Sequence, residues 1–94
     1  MKTYRPERIS KEIMKVINEV IREDINDPRI ANLIILEVEV SNDLKKAKIH
    51  YTQLKEEKEE NIEKVLERAR SYIRKKIAEK IELKFMPEIF FIRR

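Results

Sequence analysis

Apolar residues recur at steps of three and four along the first quarter of the chain. They are Ile9, Ile13, Val16, Ile17, Val20 and Ile21. An α-helix turns about once every 3.6 residues, so this spacing places one apolar stripe along a helix. Pro6 suits the first helical turn, where its missing N–H has no partner to lose. The helix is predicted to run from about Pro6 to about Ile25, because Asp27 precedes Pro28 and that position disfavours helical backbone.

A period of two replaces the helical period between Leu33 and Val40. One phase is apolar and the other polar, namely Leu36, Val38 and Val40 against Glu37, Glu39 and Ser41. The same alternation returns further along, with Ala47, Ile49 and Tyr51 against Lys48, His50 and Thr52. Between the two runs, Ser41, Asn42 and Asp43 are residues that bond their own backbone in turns. The pattern predicts a β-hairpin with one buried face.

Helical steps resume after a mostly acidic segment at 56–60. The apolar positions are Ile62, Val65, Leu66, Ala69, Tyr72, Ile73, Ile77 and Ile81. Acidic residues at the start of a helix complement its positive end, so a second helix is predicted from this segment to about Glu82. Pro87 prevents its continuation. The run from Ile89 to Ile92 then predicts a third strand.

The predicted order is helix, strand, strand, helix, strand, in a single domain over residues 1–94. Neither helix can bury its stripe alone, so both are expected to pack on one face of a three-stranded sheet, giving an α+β fold of two layers. The other face is expected to be exposed. It would carry Glu37, Glu39, Lys48, His50 and Thr52.

Composition excludes several classes of site. The 94 residues contain no cysteine, which rules out a disulfide framework and a thiolate zinc site. They contain no glycine, which rules out the P-loop and the dinucleotide-binding fingerprint. No apolar run approaches the roughly 20 residues of a membrane span, and residues 1–9 do not resemble a signal peptide. The protein is expected to be soluble, unsecreted and cytoplasmic.

Catalytic candidates are few. His50 is the only histidine and lies on the polar phase of its strand, so it is interpreted as an ordinary surface residue. Glu37 and Glu39 lie two apart on one strand face and could hold Mg²⁺ for phosphodiester hydrolysis, which leaves a metal-dependent nuclease as one alternative. Asp27 and Asp43 are better explained as turn residues. No cofactor and no metal site is expected.

The basic residues are more informative. They crowd the second helix and the hairpin, as Arg68, Arg70, Arg74, Lys75, Lys76 and Lys80 and as Lys45, Lys46 and Lys48. Segregated positive charge attracts phosphate and provides affinity with little sequence preference. The alternative is a solvated helix face, on which Glu63, Glu67 and Glu79 form ion pairs along the helix. Charged residues make up 43% of the chain, and such a surface also suits the ion-pair networks of heat-tolerant proteins.

Several short stretches, in their order and spacing, resemble the ribosome-binding factor A family along essentially the whole chain. They are Arg8-Ile9, Glu12-Ile13, Asp27-Pro28-Arg29, the hairpin segment VEVSNDLKKAKI at 38–49, Tyr72-Ile73-Arg74, and Pro87-Glu88-Ile89 with Phe91. The family consists of bacterial factors for assembly of the small ribosomal subunit.

The resemblance implies a type II KH-like fold. In this family a helix kink at an Ala-x-Gly triplet replaces the glycine-rich loop of ordinary KH domains. The matching triplet here is Ala69-Arg70-Ser71, with serine in place of the glycine. Serine can bend a helix by bonding back to a carbonyl one turn earlier, so a shallower kink is expected.

The resemblance also implies a non-catalytic factor that binds the free small (30S) subunit and its 16S rRNA near the decoding region. Members assist late maturation and 5′-end processing of the rRNA, particularly in the cold. The chain is expected to act as a monomer, with assembly GTPases as candidate partners and no membrane contact. The sequence ends at Arg94 without the C-terminal extension that many members carry, so contacts made by that extension are expected to be absent.

The expected RNA-facing residues lie around the kink and on the hairpin. They are Arg68, Arg70, Arg74, Lys75 and Lys76, with Lys45, Lys46 and Lys48. Arg5, Arg8 and Arg29 are weaker candidates. The main alternative function, ahead of the nuclease, is a protein-interaction adaptor that recruits a partner along the exposed edge of the third strand.

Overall fold

The elements follow one another in the predicted order. A computed structural model of the chain describes residues 5–25, 30, 33–54 and 59–94. The elements are α1 (Pro6–Glu19), a π-helical turn (Val20–Asp24), β1 (Leu33–Val40), β2 (Lys46–Gln53), α2 (Glu59–Lys80) and β3 (Glu88–Arg93). The α-β-β-α-β order and the α+β class are confirmed. The predicted turn at Asp27-Pro28-Arg29 and positions 56–58 of the acidic segment lie outside the described residues.

The start and end of α1 follow from its local sequence. Arg5 is extended and Pro6 opens the helix, where the carbonyl of Arg5 accepts the first bond from the N–H of Ile9 at 3.1 Å. The helix ends in a wider turn, in which the N–H of Ile25 bonds the carbonyl of Val20 at 3.0 Å. This π-helical turn carries the predicted helix to its expected end near Ile25.

The sheet has the order β1-β2-β3, with β2 in the centre. β1 and β2 are antiparallel and form the predicted hairpin, whereas β2 and β3 are parallel. Parallel neighbours cannot be joined by a tight turn, so the chain crosses between them through α2. The crossover brings β3 beside Lys46 and leaves β3 on the edge of the sheet.

A β-bulge in β1 shifts the predicted alternation by one residue. Ile35 pairs with Tyr51, and the next pair is Glu37 with His50, so Leu36 is the extra residue. The alternation predicted that Leu36 is buried, and this was wrong: Leu36 is 42% exposed and Ile35 is only 7% exposed. At the bulge, two consecutive residues lie opposite one partner residue. The alternation of buried and exposed side chains is therefore shifted by one position beyond it.

One hydrophobic core lies between the helices and the sheet. Its fully buried members come from both helices and from the strands, and include Ile13, Ile17, Ile49, Ile73, Ile77 and Ile89. The prediction that both helices cover the same face is therefore confirmed. Glu37, Glu39 and Lys48 are exposed on the opposite face, as predicted, and Thr52 is half-buried.

His50 is buried on that opposite face, where it was expected to be an exposed surface residue. It is only 8% exposed, and its Nε2 lies 3.2 Å from Oε1 of Glu39. An ion pair of 2.8 Å joins Glu37 on β1 to Arg94 beyond β3, and so crosses the central strand beside His50. The alternation correctly predicted which side the ring occupies, but the residues around it on three strands cover it.

The hairpin turn is built by Ser41 and Asp43. The carboxylate of Asp43 accepts bonds from the Ser41 hydroxyl at 2.7 Å and from the N–H of Lys45 at 3.0 Å. The same hydroxyl accepts from the N–H of Lys46 at 3.0 Å. Hydrogen bonding, first from Ser41 and then from Lys45, holds the pKa of Asp43 below its ordinary value. Asp43 was predicted to be a turn residue from its residue type. These bonds confirm that role.

Leu44 adopts a left-handed backbone conformation in this turn, with φ of 62°. For a residue other than glycine this costs roughly 1–2 kcal/mol. Two features hold it there: its N–H bonds the carbonyl of Ser41 at 2.9 Å, and its half-buried side chain packs against the core. These contacts stabilise the left-handed conformation at Leu44 in a chain that has no glycine.

We expect Ile35→Ala to destabilise the fold by roughly 2–4 kcal/mol, because it leaves a cavity in the core. The neighbouring Leu36→Ala should change stability by less than about 1 kcal/mol, because that side chain already faces water. Urea unfolding monitored by circular dichroism measures both. Equal losses for the two variants would contradict the placement of the bulge at Leu36.

Asp43→Asn should lower the melting temperature at neutral pH, because the amide keeps an acceptor but loses the negative charge that strengthens both bonds. The pKa of Asp43 is depressed in the folded state, so its contribution is complete above its ordinary pKa of about 4 and is lost as the pH falls through the folded value. The difference in melting temperature between wild type and variant should therefore shrink below about pH 4. A difference that stays constant down to acid pH would contradict this role for the carboxylate.

Candidate nucleic-acid interface

The hairpin turn and α2 meet in a polar groove beside the start of β3. The turn is tied to β3 by a bond of 2.8 Å from the N–H of Glu88 to the carbonyl of Lys45. Its walls are Lys45, Glu67, Arg70, Ser71, Arg74, Met86, Glu88 and Ile89, and we call it the basic groove. Arg70 and Arg74 are four residues apart, so they lie one above the other on the same flank of α2. Three cations from two distant segments thus border one depression.

A second groove follows the edge strand. It runs between β3 and the first half of α2, and we call it the β3 groove. Its walls are Lys46, Lys48, Tyr51, Glu63, Leu66, Glu67, Arg70, Ile89, Phe90, Phe91, Ile92 and Arg93. The floor is mostly apolar, and the lysines of β2 lie at its border. Arg70 lines both grooves and therefore separates them.

Arg70 is held by several partners. Its guanidinium lies 3.3 Å from Oε1 of Glu67, 3.8 Å from Oε1 of Glu88 and 5.7 Å from the centroid of the Phe90 ring. The two carboxylates offset much of its positive charge. A cation–π contact and two ion pairs also fix its geometry, so Arg70 organises the junction of the grooves more than it supplies free charge.

Four other cations have charge that is compensated less than that of Arg70. They are Arg74, Lys45, Lys46 and Lys48. None of the four makes an ion pair within the described part of the chain. All four are exposed. The electropositive surface of the two grooves therefore comes mainly from these side chains.

The other predicted cations of α2 lie elsewhere on the helix. Arg68 and Lys75 are exposed on its solvent side, because successive residues turn by about 100° and place them away from Arg74. Lys76 lies on the flank towards α1, with its Nζ 3.5 Å from Oε2 of Glu79 and 5.6 Å from the ring centroid of Tyr72. The charge of Glu79, followed by that of Tyr72, raises the pKa of Lys76. The eight cations do not form one continuous surface.

Two contacts on that flank join α2 to the end of α1. The hydroxyl of Tyr72 donates to Oδ2 of Asp24 at 2.8 Å, and Nζ of Lys80 donates to Oε2 of Glu19 at 2.9 Å. The first bond raises the pKa of Tyr72, and the second lowers the pKa of Glu19 and raises that of Lys80. Lys80, which the sequence pattern grouped with the basic residues of α2, thus connects the two helices.

α2 is helical without interruption from Glu59 to Lys80. The triplet Ala69-Arg70-Ser71 therefore keeps its helical hydrogen bonding, and the expected kink stays a prediction. Ser71 is exposed and lines the basic groove.

The weaker candidates are separate from both grooves. Arg5 is exposed before the first turn of α1, and Arg8 lies 3.4 Å from Glu12 on the same helix. Arg29 lies outside the described residues. The two described arginines are not part of either groove.

The two carboxylates of the nuclease alternative are already engaged. Glu37 pairs with Arg94 at 2.8 Å, and Glu39 lies 3.2 Å from His50. Within the described ranges there is no cluster of three or more histidine, aspartate or glutamate side chains placed to share a metal ion. A magnesium site at this position would first have to displace Arg94 from Glu37.

The adaptor alternative requires the edge of β3. In its described part the strand is an edge strand, as that hypothesis needs. Ile89 on this edge is fully buried, however, and Arg70 lies over the neighbouring Phe90. Both contacts involve side chains and not the backbone groups with which an added strand would pair, so the adaptor hypothesis stays a prediction. None of the described helices has the length and hydropathy needed to span a membrane.

Comparison with known proteins places the chain in one family. Residues 5–93 match the family model described as ribosome-binding factor A. Ribosome-binding factor A of Caldicellulosiruptor bescii is 42% identical over 95 residues, which cover 97% of this chain and 72% of that one. The protein of the same name from Halothermothrix orenii is 41% identical over 93 residues, covering 97% and 75%.

Solved structures show the same fold. The crystal structure of ribosome-binding factor A from Thermus thermophilus superposes with a TM-score of 0.83, at 21% identity, over 96% of this chain and 97% of that one. A Thermus thermophilus homology model fitted into a cryo-electron microscopy map of a 30S complex gives a TM-score of 0.72, at 20% identity, over 98% and 93%. The sequence matches, supported by this fold, show that the chain belongs to the ribosome-binding factor A family.

Proposed function

We propose that the chain is a non-catalytic assembly factor that binds the free 30S subunit through its 16S rRNA. It assists late maturation of the subunit and processing of the 5′ end of the rRNA in the cytoplasm, particularly in the cold. It acts as a monomer and shares the subunit with assembly GTPases. The observation that carries the proposal is the convergence of Lys45, Arg70 and Arg74 on one groove of a ribosome-binding factor fold.

The charge on the two grooves supports RNA as the ligand. Lysine and arginine side chains that neutralise phosphates release condensed counterions, which gives affinity that falls steeply with salt. Arg74 of α2 and Lys45 of the hairpin both line the basic groove, and Lys46 and Lys48 continue the positive charge along β2. A sugar-phosphate backbone can therefore follow the surface from α2 to the hairpin. Such contacts position the protein without reading sequence.

A binding protein without catalysis can still direct assembly. A ligand shifts a conformational equilibrium by its difference in affinity between the two states. If the basic groove fits one arrangement of the immature rRNA better than its competitors, binding raises the population of that arrangement. The hydrogen-bonded hairpin turn supports this role, because Ser41 and Asp43 hold the backbone that carries Lys45.

The relatives support the 30S subunit as the target. The Thermus thermophilus protein of the same fold was fitted into a map of a 30S complex. We assign the same partner to the present chain because the chain belongs to the same family. A factor that acts only on immature subunits has to leave as the subunit matures or joins the large one, so its affinity should differ between those states.

The chain should co-sediment with free 30S subunits and should be largely absent from 70S ribosomes in sucrose gradients. The reason is that a factor for immature subunits must prefer the conformation they present. Equal binding to both particles, or binding to neither, would contradict the assembly role.

Removing two groove cations, in the double variant Arg74→Gln with Lys45→Gln, should weaken binding to 30S subunits and flatten its salt dependence. The slope of log K against log salt should fall by about 0.7–0.9 for each phosphate that the variant no longer neutralises. Fluorescence anisotropy of labelled protein at several salt concentrations measures both quantities. Melting temperature should hardly change, because both side chains are exposed.

The matched control removes two cations from α1, as Lys11→Gln with Lys15→Gln. These side chains are also exposed, and the net charge falls by the same amount. The control should keep the slope of the wild type. An identical loss in both double variants would mean that overall charge, and not the groove, determines affinity.

A further inference from the structure

Phe85 is exposed although it is a large aromatic residue. Its side chain is 77% exposed, the highest value for any large apolar residue in the described ranges. It lies in the loop between α2 and β3 and takes no part in the core. Packing therefore does not account for an aromatic ring at this position.

The loop holds this ring in a defined place. Leu83 and Met86 pack against the core on either side of it, and Pro87 is buried. At the far end of the loop, the N–H of Glu88 bonds the carbonyl of Lys45 at 2.8 Å. Because the loop is anchored before and after Phe85, the ring is presented to solvent from a fixed backbone.

The position of the ring relates it to the basic groove. Met86, the next residue, forms part of the groove wall together with Lys45 and Arg74. Nζ of Lys84 lies 5.7 Å from the centroid of the Phe85 ring. Phe85 is thus one residue along the chain from the wall of a groove that Lys45, Arg70 and Arg74 line. An aromatic face beside a cation, close to a groove with basic walls, is a combination that proteins use to hold unpaired nucleotides.

We infer that Phe85 and Lys84 form a stacking platform for an unpaired base of an RNA whose backbone lies in the basic groove. Lys84 lies over one side of the ring, and a base stacks on the exposed remainder. The inference rests on the proposed function, because it assumes that the groove holds RNA. It adds a preference for RNA in which paired and unpaired segments meet.

The physical reason for this preference is that bases within a duplex are already stacked on their neighbours. Only an unpaired base can place its face on the ring without first breaking a pair. Every base has a π-face, so the platform selects single-stranded segments without selecting their sequence. The contact is not ionic, so its contribution should change little with salt.

The first test compares two RNA probes. One is a short blunt-ended hairpin whose loop is a non-nucleotide linker, so that it has no unpaired base, and the other is the same hairpin with a single-stranded adenosine extension. Wild type should bind the extended hairpin more tightly. Phe85→Ala and Phe85→Leu should each weaken binding of the extended hairpin by roughly five- to a hundredfold, the range expected when one base stack is removed. Their binding of the blunt hairpin and their salt slopes should stay those of the wild type. Phe85→Leu separates loss of the aromatic face from loss of apolar surface.

The matched control is Leu54→Ala. Leu54 is 72% exposed and follows the end of β2 that is far from Lys45. The Leu54→Ala variant should bind both probes as tightly as wild type does. None of these variants should lower the melting temperature, because the side chains removed are outside the core.

A second measurement reports stacking directly. The chain contains no tryptophan, so Phe85→Trp introduces a single indole at the platform. Its fluorescence should be quenched by the extended hairpin and much less by the blunt one. Leu54→Trp places a single indole at the control position, where neither probe should quench it.

The outcomes separate this inference from the proposed function. If the blunt hairpin binds through Arg74 and Lys45 while the extension adds no affinity, stacking is wrong and RNA binding by the groove remains. If neither probe binds wild type while 30S subunits do, the stacking platform is rejected and the proposed function remains. If 30S subunits do not bind either, both are wrong. If Phe85→Ala binds both probes normally but loses the 30S subunit, the ring contacts a ribosomal protein, and the stacking platform is rejected.

Discussion

The pairing of β2 with a strand on each side is the constraint on which the rest of the structure depends. Ile49 and Tyr51 face the helices from this central strand and are almost completely buried. The parallel pairing with β3 requires a long crossover, which α2 supplies. That crossover returns the chain to the hairpin, where the N–H of Glu88 bonds Lys45. The two grooves are thus a direct result of the sheet topology.

Charged side chains on this scaffold divide into two groups. One group is used within the protein: Lys80 joins α2 to Glu19, Arg94 crosses the sheet to Glu37, and Arg70 pairs with two carboxylates. Exposed pairs of this kind add little stability individually but fix where side chains point. The second group includes Lys45 and Arg74, for which no carboxylate lies within ion-pair distance in the described part of the chain. The described part of the chain therefore combines many internal ion pairs with cations that no carboxylate neutralises.

The element order was predictable because periods of two and of 3.6 residues differ clearly in this sequence. The bulge at Leu36 was not predictable, because an extra residue leaves the composition of the strand unchanged. It only shifts the phase in which buried and exposed side chains alternate. The burial of His50 involves its contact with Glu39 on the neighbouring strand, 11 residues away in sequence. The bond between Tyr72 and Asp24 depends in the same way on how two helices cross.

The candidate site was predictable in part. Residue type and clustering identified Lys45, Arg70 and Arg74, which the fold brings to one groove. Counting the cations of α2 together was too coarse, because rotation about the helix axis separates Lys76 from Arg74 and points it towards α1. A helical-wheel projection of the sequence already shows this separation of Lys76 from Arg74. Phe85 was missed because a single exposed aromatic residue has no periodic pattern.

The parallel arrangement of β2 and β3 has a consequence for folding. The hairpin consists of contacts between neighbouring segments, which form fast, whereas β3 can dock only after the long loop through α2 has closed. The wall residues Lys45 and Met86 come together only at that late step. An anion bound between them would stabilise the docked form over partly folded ones, in proportion to its occupancy. The docking of β3 on the sheet therefore also completes the wall of the basic groove.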